Sequence, residues 1–451
     1  MAENESIPIP HSPFPVIGLV DGNNFYVSCE RVFDRKLVGK PVAVLSNNDG
    51  CCVAMSNEFK ALGIPRGTPY FQLKDREKSG ELIFRSSNYE LYGDMSRRIV
   101  SILREEALDV EQYSIDEAFI YPPVLPADRR EQGIGNREQV RRENLFEYGR
   151  NLRKKILRWT GIPCGVGFAP TKTLAKIANH IGKKLPGGVY ILPEDPTDIL
   201  ARLPVGEVWG VGRRLVNKLM ADRIASAKDL RDAPDDVVRR IGGVTLLRTA
   251  TELRGVGCSQ DRDYDADPDS VSCSRSFGRP VTTLEELSES VASFASQAAV
   301  KLRKHGLLAS GCNIYAQLAK PGMFESDEGW EANFVSETVM FPEPTDATNK
   351  MLKAISDGVE ALWVPGARYR KSGVVFFGLE HVGATQQLDL FSESAPRESS
   401  KLYQAIDALN ARYGRDKVFS ASEGIVREWK MKRSLLSKRS TTNWSELITV
   451  R

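Results

Sequence analysis

Histidine is scarce in this 451-residue chain, with four residues, and its seven cysteines are scattered. No two cysteines stand in a Cys-x-x-Cys pair. The nitrogen and sulfur ligands that build zinc centres are therefore too few and wrongly spaced, and an odd number of dispersed thiols suits a reducing compartment better than a disulfide framework. No apolar run is long enough to span a bilayer, so no membrane contact is expected. The opening Met1-Ala2-Glu3-Asn4-Glu5-Ser6 lacks the charge and apolar stretch of a signal peptide, which points to the cytoplasm. An excess of one charge is also missing: 62 Lys and Arg face 59 Asp and Glu, a net +3. A nucleic-acid surface would have to come from local clustering. What remains is the make-up of a soluble globular protein, 41% hydrophobic and 27% charged, too long for one core. About two to four domains are expected.

Against this background two acidic sites stand out. Asp21 ends the apolar run Ile17-Gly18-Leu19-Val20, and Asp116-Glu117 sits in Tyr113-Ser114-Ile115-Asp116-Glu117-Ala118-Phe119. Each follows a strand-like run and precedes an aromatic residue. Hard oxygen ligands projected from adjacent strands over an apolar floor are what two-metal phosphoryl transfer requires. Taken singly, an Asp at a strand end is ordinarily a turn former or helix cap.

The pattern along the chain predicts a strand at 17–20, a helix at 24–33, and a hairpin of 41–45 with 52–55 around Asn47-Asn48-Asp49-Gly50. Helices are expected at 57–62 and 89–107, and strands at 110–115 and 118–121. Pro122 to Asn144 reads as a polar surface insertion, followed by a helix to Trp159. A strand at 164–168, a helix at 171–183 and a strand at 189–192 complete an order that resembles a ferredoxin-like α+β sheet. From Leu203 to Gly257 short helices are broken by glycine, and Gly210-Val211-Gly212-Arg213 reads either as a phosphate-approaching hairpin or as a plain helical corner. Asp261 to Asp269 reads as a linker and Val271 to Phe377 as a second α/β unit, followed by an extended tail and a small basic module.

Asp21-Gly22-Asn23-Asn24-Phe25-Tyr26, Ser114-Ile115-Asp116-Glu117-Ala118 and Thr171-Lys172-Thr173-Leu174-Ala175-Lys176 together resemble the Y-family translesion DNA polymerases. Three further stretches resemble the UmuC branch, the catalytic subunit of bacterial DNA polymerase V: Leu45-Ser46-Asn47-Asn48-Asp49-Gly50-Cys51, Ser86-Ser87-Asn88-Tyr89-Glu90-Leu91-Tyr92 and Cys273-Ser274-Arg275-Ser276-Phe277-Gly278. The resemblance implies an α+β multidomain fold. After a loose arm at 1–15 come palm and fingers at 16–202 (fingers about 32–88), a helix-hairpin-helix thumb at 203–260, a little finger at 271–380, and a clamp-binding tail with a C-terminal partner module at 381–451.

It also implies roles. Asp21, Asp116 and Glu117 become the acids that hold two Mg²⁺ ions, with the Gly22 carbonyl as a further ligand. Lys176 and Lys60 become contacts to the deoxynucleoside triphosphate, and Tyr26 the ring that excludes a 2′-hydroxyl. Gly210, Gly212, Arg213, Ser274, Arg275 and Arg279 become contacts to primer-template DNA, which position it without reading sequence. Gln387-Leu388-Asp389-Leu390-Phe391 resembles the sliding-clamp motif, in which Gln387, Leu388, Leu390 and Phe391 engage the clamp. The basic segment containing Lys430, Lys432, Arg433, Lys438 and Arg439, with Trp429 and Trp444, reads equally as a nucleic-acid surface or as cover for a protein partner. The resemblance implies a processed UmuD dimer and a RecA filament as partners, with this segment as the expected contact. The expected activity is error-prone translesion synthesis in the SOS response, at the nucleoid. Asn23 stands where the DinB branch has an acid. Alternatives are an autonomous DinB-like polymerase, a clamp-tethered scaffold without activity, and, more remotely, a nucleotide cyclase.

Overall fold

The computed structural model describes residues 16–123, 134–258, 267–319, 334–382, 398–414 and 416–447. The N-terminal arm, most of the expected linker, the start of the expected insertion and the clamp-like motif at 387–391 lie outside these residues. The described residues form two units. The first takes those up to Leu45, those from Cys51 to the linker, and those from Leu435 onward; the second takes Ser46–Gly50 and those from the linker to Ser434.

In the first unit, β1 (Ile17–Gly22) leads into α1 (Phe25–Phe33). The strands β2 (Val42–Leu45) and β3 (Cys52–Met55) pair antiparallel, as the hairpin pattern predicts. After α2 (Asn57–Lys60) and α3 (Lys74–Lys78), β4 (Ile83–Ser86) pairs parallel with β2 to complete a small sheet in the order β3-β2-β4. Its core is Ala43, Leu45, Cys52, Phe59, Leu82 and Phe84.

Next come α4 (Tyr89–Glu106), β5 (Asp109–Gln112), β6 (Glu117–Tyr121), α5 (Ile134–Thr160), β7 (Cys164–Ala169), α6 (Lys172–Gly182) and β8 (Val189–Ile191). The main sheet has the order β5-β6-β1-β7-β8, so β1 lies at its centre, antiparallel to both neighbours. Alternation along β1 divides the interior. Ile17 and Leu19 pack with α6, whereas Val20 packs with α1, α4 and α5. The approach of α6 to β7 depends on Gly167: a Cβ there would lie 2.0 Å from the Asn179 backbone nitrogen.

Helices α7 (Thr197–Arg202), α8 (Arg213–Ala221), α9 (Ala227–Asp232) and α10 (Asp235–Leu253) follow. They share a core with α6, including Val208, Leu219, Leu230, Val238 and Leu246. The buried Glu252 carboxylate accepts from Thr173 N (2.9 Å) and Thr173 Oγ1 (2.5 Å), which places a negative charge at the N-terminus of α6.

Two expectations for the first unit need correction. The long helix α5 begins at Ile134, so residues 134–144 are its first turns and do not belong to a loop. The hairpin at Gly210-Gly212 lies between a short 3₁₀ turn, Val205–Glu207, and α8, rather than between two α-helices.

The second unit contains β9 (Val271–Val281), α11 (Leu284–His305), β10 (Leu307–Leu318), β11 (Phe334–Thr345), α12 (Thr348–Leu362) and β12 (Tyr369–His381). The antiparallel sheet runs β11-β10-β12-β9, and the two helices pack on it through Val291, Phe294, Ala298, Ile355 and Val359. The tail after it is not wholly extended. Glu398–Tyr413 forms α13, fastened by Arg303 to Asp407 (2.8 and 3.0 Å) and by the Tyr403 hydroxyl, which accepts from Asn349 N (2.8 Å). Trp429 is not an exposed stacking platform: it is 3% exposed and packs edge-on to Phe294 and Phe277.

Candidate active site

Register brings the acids together. Asp21 on β1 stands opposite Glu117 on β6, and Gly22 N donates to the Asp116 carbonyl at 2.8 Å. Ser114 holds the corner between β5 and β6. Its hydroxyl donates to Asp116 Oδ1 (2.7 Å) and accepts from Asp116 N (3.2 Å) and Glu117 N (3.0 Å). The alternation that puts Leu19 against α6 puts Asp21 there too, with Glu117 beside it.

From α6 and the residue just beyond it, two lysines reach these acids. Lys176 Nζ donates to Glu117 Oε2 at 2.9 Å, and Lys183 Nζ lies 2.5 Å from Asp21 Oδ2. The Lys176 ammonium also stands over the rings of Tyr113 (4.3 Å) and Trp209 (5.0 Å). Trp209 Nε1 donates to the Tyr113 hydroxyl at 3.2 Å. The Gly210 hairpin thereby presents Trp209 at the edge of the site. A cavity of about 260 Å³ opens among Asp21, Glu117, Lys176, His180, Lys183 and Trp209.

Burial pushes the Asp21 carboxyl up to about 6 against the pull of Lys183, with the Glu117 and Asp116 charges adding to the rise. Burial, the Lys183 charge and the Arg66 charge hold Lys60 below its ordinary value, while Asp21 opposes them. These cations therefore share one electrostatic field around the acids. Lys60 Nζ is fixed by Asn24 Oδ1 (2.6 Å), and Asn24 Nδ2 donates to Asn57 Oδ1 (2.9 Å). Sequence reading named Lys60 and Lys176 but missed Lys183 and Arg66, which carry no signal beyond their charge.

On the other side of the corner lies Tyr26, half-buried at the start of α1. Its hydroxyl is held above its usual value by burial first, then by Tyr89 and Asp116. The Tyr26 ring stacks on Tyr92 (4.4 Å between centroids, 16° between planes) and meets Tyr89 edge-on at 6.2 Å.

The donor chemistry suits a hard divalent cation: the acids are all-oxygen, and ammonium groups act as counter-charges on two of them. Among the described residues no group of three Asp, Glu, His or Cys side chains is arranged to hold a metal ion, and Glu117 and Asp21 are paired with Lys176 and Lys183.

Other expected contacts are placed as follows. Gly210 has φ +86°, Gly212 caps α8, and Arg213 is the exposed first residue of that helix. A second glycine turn breaks α10 at Gly243, where φ is +69°. Ser274 and Arg275 lie on β9, the sheet edge, opposite Gly373 and Ser372. Arg279 is paired with Glu286 and Glu428, so its charge is already balanced. All seven cysteines are free thiols, and among the described residues no helix is long and apolar enough to cross a membrane.

Residues 20–180 match the impB/mucB/samB family, 268–390 match that family's C-terminal domain, and 400–450 match a domain of unknown function, DUF4113. Protein UmuC of Salmonella typhimurium is 40% identical over 442 residues, which cover 97% of this chain and 100% of that protein. The chain belongs to the UmuC branch of the Y-family DNA polymerases. DNA polymerase IV 1 of Bacillus subtilis is more distant, 29% identical over 412 residues that cover 88% of this chain and 91% of that one. Among solved structures, a Y-family DNA polymerase chimera, Dbh-Dpo4(243-245)-Dbh, superposes with a TM-score of 0.58 at 21% identity, covering 81% of this chain and all of the chimera; that likeness is one of fold. The family makes this chain a DNA-directed DNA polymerase of the translesion class, with DNA and nucleotides as substrates and a general use of divalent metal ions.

Proposed function

We propose that the chain performs error-prone translesion synthesis by two-metal nucleotidyl transfer, as the catalytic subunit of a polymerase V-like complex in the SOS response. The observation that carries this reading is the meeting of Asp21, Asp116 and Glu117 at one end of the sheet, faced by Lys176 and Lys183. Asp21, Asp116 and Glu117, with the Gly22 carbonyl, would hold two Mg²⁺ ions. Bound there, the ions supply Lewis-acid polarisation of phosphate oxygens and a lower pKa for the primer hydroxyl.

The chain's own residues do the rest. Lys176, Lys183, Lys60 and Arg66 bind the triphosphate as point charges. Ser114 keeps the Asp116–Glu117 corner in register. The ring of Tyr26 lies under the incoming sugar and clashes with a 2′-hydroxyl. The primer 3′-hydroxyl attacks the α-phosphate, and pyrophosphate leaves. Gly210, Gly212, Arg213, Ser274 and Arg275 contact the DNA backbone, and Arg279 does so only if it exchanges its glutamate partners for phosphate.

The clamp motif Gln387, Leu388, Leu390 and Phe391, a processed UmuD dimer and a RecA filament complete the proposed assembly, which works at the nucleoid in the cytoplasm. The 40% identity to UmuC, set against 29% to a DNA polymerase IV, favours this partner-dependent reading over an autonomous polymerase.

The test is primer extension opposite an abasic site with Mg²⁺, clamp, processed UmuD and activated RecA, comparing the parent chain with Asp116→Ala/Glu117→Ala. Extension by the parent alone is the expected result. Equal extension by both proteins would remove the chemistry from these acids, and extension by the parent without UmuD or RecA would favour the autonomous reading.

A further inference from the structure

Each of the three stretches that resemble the UmuC branch receives the C-terminal segment within its own unit. In the second unit Asn48 Oδ1 accepts from Lys432 N (3.0 Å), Asp49 Oδ2 accepts from Ser434 N (2.8 Å), and Gly278 N donates to the Trp429 carbonyl (2.9 Å). In the first unit Ser86 and Leu435 exchange two bonds: Ser86 N donates to the Leu435 carbonyl (3.0 Å), and Leu435 N to Ser86 Oγ (2.9 Å). The Leu435 side chain then packs against the small-sheet core.

Beyond Leu435 the segment reaches a buried polar chain. Asn88 Nδ2, on a side chain that also caps α4, donates to Ser437 Oγ at 2.9 Å. Ser437 Oγ donates to Glu30 Oε1 at 3.0 Å, and the Tyr92 hydroxyl donates to the same oxygen at 2.7 Å. Asn88, Glu30 and Tyr92 are each at most 2% exposed. Tyr92 is the ring on which Tyr26 stacks. The order of donation is consistent throughout: amide to hydroxyl, hydroxyl to carboxylate, phenol to the same carboxylate oxygen.

We propose that Ser437 is a positioning residue for sugar selection. Through Glu30 it fixes the phenol of Tyr92, and through Tyr92 it fixes the ring plane of Tyr26. The inference rests on the reading of Tyr26 as the ring that meets the incoming sugar. It gives the segment matched as DUF4113 a role inside the catalytic unit. Ser437 is half-buried, but the groups it joins are buried, so the loss of its hydroxyl is felt by the others in the network. Tyr26 would keep its place on α1 but lose the restraint on its tilt, and a ribose would meet a ring able to turn aside.

The experiment measures kcat/KM for deoxynucleotide and ribonucleotide insertion by the full-length chain in its active assembly. The parent is compared with Tyr26→Ala, Ser437→Ala, Ser437→Thr and Tyr92→Phe. Tyr26→Ala should lower discrimination most. Ser437→Ala should lower it by about three- to tenfold, the range expected for losing the hydrogen bond to Glu30 that restrains Tyr92. That loss should come from improved ribonucleotide KM, with deoxynucleotide kcat little changed. Ser437→Thr keeps the hydroxyl and should restore the parent ratio. Tyr92→Phe keeps the stacked ring but removes the bond to Glu30, so it carries the test if Ser437→Ala fails to fold.

A merely structural role for Ser437 would slow both sugars equally, leave the ratio unchanged, and overturn the proposal. Loss of discrimination in Tyr26→Ala with none in Ser437→Ala or Tyr92→Phe would refute the inference while leaving the gate standing. Unchanged discrimination in an active Tyr26→Ala would sink the gate reading and the inference with it.

Discussion

Gly167→Ala tests whether the lysines of α6 act by position. Gly167 lies on β7, one strand from the acids, and touches no reacting group. A Cβ there would meet the Asn179 nitrogen at 2.0 Å, the Asn179 Cα at 2.5 Å and the Ala178 carbonyl carbon at 2.6 Å, all of them backbone atoms that cannot rotate away. An ordinary contact begins at 3.4 Å, so α6 must retreat by about 1.4 Å or β7 must bulge. Overpacking of this kind costs roughly 1–3 kcal/mol, which in a unit of this size lowers the Tm by about 2–12 °C.

The retreat carries Lys176 and Lys183 away from the acids and stretches the 3.1 Å bond from Asn179 Nδ2 to the Leu19 carbonyl. Misplacement by about 1 Å can cost on the order of 100-fold in rate. Single-nucleotide insertion, assayed at a temperature where circular dichroism shows the variant folded, should therefore fall by about two orders of magnitude, with DNA affinity far less affected. A folded variant with parental insertion rate and Tm would refute the argument that close β7–α6 packing sets the lysine positions.

Ser114→Ala removes the three hydrogen bonds that the Ser114 hydroxyl makes at the Asp116–Glu117 corner while leaving both carboxylates in place. Insertion should fall by about 10- to 100-fold and the apparent Mg²⁺ requirement should rise, as read by titrating Mg²⁺ in the insertion assay; an unchanged Mg²⁺ requirement would contradict a positioning role. Glu30 should make stability depend on pH. Burial holds its carboxyl above the ordinary glutamate value, opposed by hydrogen bonds from Tyr92 and Ser437 and by Arg85, while Asp34 adds to the rise. Its stabilising contribution is therefore present below the ordinary value and is lost as pH rises through the raised folded value. Glu30→Gln, which cannot ionise, should gain Tm relative to the parent as pH rises above the ordinary glutamate range; a constant difference would contradict the assignment.

The sequence made the acids legible because strand period and chemistry coincide there: the alternation that buries Leu19 also sets Asp21 on the face of α6. It named Lys176 through the run Thr171-Lys172-Thr173-Leu174-Ala175-Lys176. Lys183 escaped notice because it lies just past the last turn of α6, where a lysine ordinarily serves the helix C-terminus. The first turns of α5 read as loop because Ile134-Gly135-Asn136-Arg137-Glu138 is polar, with a glycine in second place. Helix α13 is anchored by Arg303, which lies 104 residues before its partner Asp407, a contact no local pattern reveals. Trp429 read as part of a contact surface because its neighbours are basic. Only the second unit's core reveals it as a packing residue.

The bond from Ser437 to Glu30 closes a loop of 407 residues. The entropy of such a closure grows only with the logarithm of its length, so equilibrium tolerates it well, but contacts of this separation come late in folding. During synthesis α1 and α4 leave the ribosome long before their final hydrogen-bond partner exists. The buried Glu30 and Asn88 each lack one partner until Ser437 arrives. A polymerase interrupted before Ser437 is made would thus carry every catalytic acid and still have an unfinished site.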